Sequence, residues 1–81
     1  MKDVKLVMAR RINKTRKEKE MSLANLADIT GLSKSRISNY ENMIRTPSVQ
    51  VIYILAEGLG VDPGYLLGLD YFFPEHYGKQ T

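Results

Sequence analysis

The sequence predicts an all-α fold: a bundle of five helices followed by a short aromatic tail. Three observations predict it. Apolar residues recur at three- and four-residue spacing in successive segments, and Ser, Thr or Asp opens the later segments while Gly closes most of them. The chain has 81 residues and no cysteine, so it allows one core, held by packed helices without a disulfide or a thiol-based zinc site.

Each element follows in order. Helix 1 starts near Asp3, sets Val4, Met8 and Ile12 inward at four-residue spacing, and ends before Met21. Helix 2 begins after the N-cap residue Ser22 and carries Leu23, Leu26, Ala27 and Ile29. Gly31 stops it, because glycine takes positive φ without a Cβ clash and lets the chain turn sharply into Leu32. Ser33 caps helix 3, about residues 33–42, in which only Ile37 and Tyr40 face the interior. Lys34, Ser35, Arg36, Ser38 and Asn39 point outward. Thr46-Pro47 reads as a cap and first-turn proline for helix 4, running to Gly58. Its β-branched residues suit a strand, but Val49, Ile52, Ala56 and Leu59 recur at helical spacing and form the expected core face. Val51 and Ile54 then fall on a flank. Asp62-Pro63 repeats the cap-plus-proline signal for helix 5, Leu66 and Leu67 close the core, and Gly68 ends it. The division is therefore one domain over residues 1–68 and a tail over 69–81, without repeats or linkers.

Charge is divided along the chain. Residues 1–45 hold 11 Lys or Arg against 5 acids, whereas residues 46–81 hold Lys79 against Glu57, Asp62, Asp70 and Glu75. The positive half contains helices 2 and 3, where a nucleic-acid duplex would gain by releasing condensed counterions. Taken alone, the Lys and Arg of residues 10–19 read as a solvated helix face. Their coincidence with an outward-facing polar helix favours nucleic acid.

Two short helices about Gly31, the second with a polar outer face, are the sequence form of a helix-turn-helix. The run Ser22-x-x-x-Leu26-Ala27-x-x-x-Gly31-Leu32-Ser33-x-x-x-Ile37-Ser38-x-Tyr40-Glu41, then Pro47 and Leu59-Gly60-Val61-Asp62, resembles the phage repressor/Cro type of helix-turn-helix domain over about residues 5–68. That resemblance implies a lambda-repressor-like five-helix fold, found in bacterial and phage regulators, that reads DNA with helix 3. The chemistry agrees. Lys34 can donate to guanine O6 and N7, Asn39 can pair with adenine, and the small Ser35 can donate or accept. By resemblance Lys34, Ser35 and Asn39 are base-reading positions, with Ser38 beside them. Ser22, Ser33, Arg36, Asn42 and Arg45 are expected at the phosphate backbone. The resemblance also makes Arg16 and Glu41 a structural ion pair tying helix 1 to the end of helix 3. Two departures stand out. Leu23 replaces a common Gln, and Met43 occupies a position where Gly often ends helix 3, so that Asn42 or a looser turn is expected to reverse the chain.

Catalysis finds little support. His76 is the only histidine, and no carboxylate pair at helical spacing supplies an acid and a base or a metal site. Gly58-Leu59-Gly60 with Gly64 has the wrong spacing and context for a phosphate loop; these glycines are expected to end helix 4 and loosen helix 5. The basic segment before Arg10 and Arg11 is too short in apolar residues for a signal peptide, and no stretch could span a membrane, which suits the cytoplasm. The tail places Tyr71, Phe72, Phe73 and Tyr77 within seven residues. With Val51 and Ile54 these aromatics are candidates for self-association: the tail either folds back over its own domain or is shared between two subunits. The expected function is a sequence-specific regulator of transcription, a repressor acting as a homodimer on a pseudo-palindromic double-stranded DNA operator without cofactor or metal. The alternative is a protein-interaction module or antitoxin-type component on the same fold.

Overall fold

A computed structural model describes residues 3–77. Five helices build the body: α1 (Val4–Glu18), α2 (Leu23–Thr30), α3 (Lys34–Glu41), α4 (Val49–Leu59) and α5 (Pro63–Leu67). Two single-turn helices follow, α6 (Leu69–Phe72) and α7 (Pro74–Tyr77), so the aromatic tail is helical where no helix was expected.

Local chemistry explains the ends. Asp3 caps α1, its carboxylate accepting from the Lys5 and Leu6 amides. Ser22 and Asn25 form a reciprocal capping box at α2, and Gly31 ends that helix at φ 77°. Ser33 Oγ accepts from the Arg36 amide to start α3, and Asp62 with Pro63 starts α5.

Four expectations need correction. The cap of α4 is Ser48, whose Oγ accepts from the Val51 amide, and Pro47 is buried in the preceding loop. Gly58 lies inside α4 and Gly60, at φ 71°, ends it. The core face of α4 is Val51, Ile52, Leu55, Ala56 and Leu59. Including Leu55, which is fully buried, rotates the buried arc so that Val51 lies within it and Val49 outside, 66% exposed. Val51 is thus core and unavailable for self-association. Val4 is also outside the core at 45% exposure, since it is the first helical residue and projects past the neighbouring helices.

Helix α1 packs against α3 and α5, and α4 against α2 and α5. Their shared core joins Met8 and Ile12 to Leu26, Leu32, Ile37, Tyr40, the α4 face and Leu66. Gly58 permits the α2–α4 crossing: a Cβ there would stand 2.7 Å from Thr30 Cγ2. Helix α3 therefore sits on a packed apolar support.

Candidate nucleic-acid interface

Helix α3 buries Ile37 and Tyr40 and turns its polar residues outward. Ser35, Ser38, Asn39 and Asn42 recur at three- and four-residue spacing and share one face. Lys34 and Ser35 are exposed and Asn39 is half-buried. None of these three side chains bonds to another described residue, so their polar groups remain available to a ligand. The remaining polar side chains of α3 and its cap Asn42 are engaged within the fold. Asn42 Nδ2 donates to the Ser38 carbonyl at 2.8 Å and to Ser38 Oγ at 3.2 Å. Arg36 Nη2 donates to Tyr40 Oη at 2.9 Å, with the guanidinium 5.9 Å from that ring's centre. Ser22 and Ser33 spend their hydroxyl lone pairs on helix caps. Arg45 is exposed in the loop after α3 and bonds to nothing described through its side chain.

The end of α3 is held from behind. Arg16 Nε donates to Glu41 Oε2 at 2.7 Å, Arg16 Nη2 to Oε1 at 3.0 Å, and Asn13 Nδ2 to Oε1 at 2.7 Å. Arg16 Nη1 also donates to the Met21 carbonyl at 2.8 Å, so one guanidinium joins α1, the α1–α2 turn and α3. The two side chains are only 11% and 6% exposed. The hydrogen bond to Glu41 holds the Arg16 pKa above its ordinary value, although burial acts in the opposite direction.

Reversal after α3 differs from expectation. Met43 itself takes the left-handed conformation, at φ 63°, while Asn42 stays at φ −100°. Amides of Met43 and Ile44 donate to the carbonyls of Tyr40 and Asn39, a Schellman arrangement that satisfies the helix end and offsets the Cβ strain. Glu20 does the same after α1, at φ 56°.

Sequence reasoning passed over Asn13, the third donor to Glu41, although its place one turn before Arg16 was a usable signal. It also passed over Arg11. Its Nη1 donates to the Tyr65 carbonyl at 2.8 Å and to Asp70 Oδ1, and its guanidinium lies 4.4 Å from the Tyr65 ring centre. Arg11 holds the Asp70 carboxyl below the ordinary carboxylate range.

These contacts bring the tail toward α1. Phe72 is half-buried against Gly68 and Val7, while Tyr71 and Phe73 are 47% and 51% exposed. The Tyr77 side chain lies outside the described residues. On α4, Val49 and Tyr53 are exposed, and half-buried Ile54 lines a groove of about 350 Å³ with Tyr53, Ala56, Glu57, Val61 and Pro63. Among the described residues no His, Cys, Asp or Glu cluster could hold a metal, and no helix is long and apolar enough to cross a membrane.

A family model described as helix-turn-helix matches residues 12–66. The HTH-type transcriptional regulator AnsR of Bacillus subtilis (strain 168) is 36% identical over 58 residues, 72% of this chain and 50% of that protein. The chain thus spans about half the length of this curated relative. The crystal structure of the hypothetical transcription factor NHTF from Neisseria is similar at TM-score 0.76 and 29% identity, over 80% of this chain and 75% of the other. The restriction-modification controller protein C.AhdI from Aeromonas hydrophila is similar at TM-score 0.73 and 29% identity, over 76% of this chain and 94% of its own. With the family match covering both helices and the turn between them, this chain belongs to the helix-turn-helix family of the phage repressor/Cro type and has its lambda-repressor-like fold.

Proposed function

We propose that this chain is a sequence-specific, double-stranded DNA-binding regulator of transcription that reads the major groove with α3. One observation carries the reading: α3 presents Lys34, Ser35 and Asn39 with uncommitted polar ends, while Ile37, Tyr40 and Glu41 fix the same helix from behind. Major-groove readout needs this combination, because discrimination between bases depends on donors and acceptors held in register. Lys34 and Asn39 serve guanine and adenine, and Ser35 and Ser38 adjust to their neighbours. Arg45 is the principal phosphate contact. Arg36, Ser22, Ser33 and Asn42 lie beside the backbone with their side chains already engaged in the fold.

The active species is a homodimer on a pseudo-palindromic operator, and it represses by covering a promoter in the cytoplasm. Support for self-association comes from the exposed Val49 and Tyr53 and the apolar groove beside them. No cofactor or catalytic step enters this mechanism.

Selection of fragments from random duplex DNA by the purified chain tests the reading. A selected pseudo-palindrome with half-site centres about 10 base pairs apart is expected. Asn39→Ala should cost ~1–3 kcal/mol on that site and relax one base pair, whereas Arg45→Ala should weaken all sequences alike. Binding should weaken steeply as salt rises. Failure to enrich any sequence, with a protein partner retained, would favour the interaction-module alternative.

A further inference from the structure

The segments on either side of the family-matched residues 12–66 meet in space. Gly68 lies so close to α1 that a Cβ would stand 2.7 Å from Val7 Cγ1 and 3.1 Å from Phe72 Cε2. Arg11 ties this junction to Tyr65 and Asp70. Between the first turns of α1 and the start of the tail lies an open cleft of about 270 Å³, lined by Asp3, Leu6, Val7, Arg10, Arg11 and Tyr71.

The cleft has an apolar floor and one unanswered charge. Asp3 already accepts two amides at the α1 N-terminus. Asp70, just outside the cleft, is paired with Arg11. Arg10 is exposed and forms no hydrogen bond or ion pair with any described residue. Leu6, Val7 and Tyr71 offer hydrocarbon and an aromatic ring beside that guanidinium. A planar guanidinium next to an apolar floor matches a carboxylate joined to a compact apolar group, and the volume admits a single ring or a short branched chain. Neither nearby acid pairs with Arg10: Asp3 Oδ1 caps α1 and Asp70 pairs with Arg11.

We propose that this cleft binds a small monocarboxylate, its carboxylate on Arg10 and its apolar part against Leu6, Val7 and Tyr71. The site is remote in sequence from α3, and the proposal does not rest on the DNA reading. Because Arg11 forms one wall and also holds the tail, occupancy acts on the α1–tail junction.

Phenylacetate is the probe, titrated into the whole chain while amide ¹H–¹⁵N shifts are followed. Saturable shifts confined to residues 3–11 and 65–72 are expected, with millimolar affinity, the range open to one ring and one charged contact. Acetate lacks the ring and phenylacetamide lacks the charge, so neither should saturate. Arg10→Gln should weaken phenylacetate binding about tenfold without changing the spectrum's dispersion. Tyr71→Ala provides the second variant and should weaken phenylacetate binding while leaving the response to acetate unchanged. No saturation by phenylacetate, equal responses to acetate, shifts centred on α3, or unaltered affinity in Arg10→Gln would each overturn the proposal.

Discussion

Helices α3 and α4 solve opposite problems. Helix α3 is short, is anchored by a nearly buried charge cluster at its end, and turns hydroxyl, amide and ammonium groups outward. Helix α4 is anchored by five buried apolar residues and turns Val49 and Tyr53 outward. The difference shows how one small core can present two chemically opposite surfaces. A polar face held rigidly suits a surface of fixed donors and acceptors, and an apolar face suits another protein surface.

The strongest way to break the comparison is to remove the charge anchor of α3. Glu41→Ala leaves Arg16 without its carboxylate in a nearly buried site and should cost about 3–5 kcal/mol in urea denaturation. If the loss were below 1 kcal/mol by that measurement, the pair would behave as a surface salt bridge and the two helices would be anchored alike. Next comes the outward face of α4. Tyr53→Ala should weaken binding to a full palindrome by about 2 kcal/mol and leave half-site affinity unchanged, whereas Asn39→Ala should lower both. Equal effects of Tyr53→Ala on both sites would remove α4 from the subunit interface.

Gly58 sharpens the comparison further, because it sets the distance between α2 and α4. Gly58→Ala should destabilise by about 1–2 kcal/mol, since the new methyl meets Thr30 Cγ2, and adding Thr30→Ser should recover most of the loss. Thermal melts of both single variants and the double variant measure the coupling. The smallest effect concerns Asp70. Its folded-state pKa lies below the ordinary value because of Arg11, so its contribution is present above about pH 4 and lost as pH falls through the folded pKa. At 46% side-chain exposure it is worth less than about 1 kcal/mol, and Asp70→Asn should flatten the acid limb of a stability–pH curve by no more than that.

Local chemistry made the helix pair readable. Ser22, Gly31 and Ser33 act on their own neighbours, so α2 and α3 begin and end where those residues dictate, and Lys34, Ser35 and Asn39 fall opposite Ile37 and Tyr40. Helix α4 was readable as a helix but not in phase. Its apolar residues fit two faces, and only the packing of Leu55 decides between them. Left-handed Glu20 left no trace, and Met43, though it stands where the family often has Gly, pointed to Asn42 or a looser turn because a side chain at that position is strained. Nor could local patterns pair Arg11 with Tyr65 and Asp70, which are 54 and 59 residues away.

The course of α1 has a mechanical consequence. Fifteen residues without Gly or Pro form a stiff rod about 22 Å long. Its first half carries Val7 and, at the midpoint, Arg11 against the tail, and its second half carries Asn13 and Arg16 clamped on Glu41. With no hinge between them, a tilt of the first half is transmitted to the second and so to α3. The α1–tail junction and helix α3 are therefore joined through one stiff element.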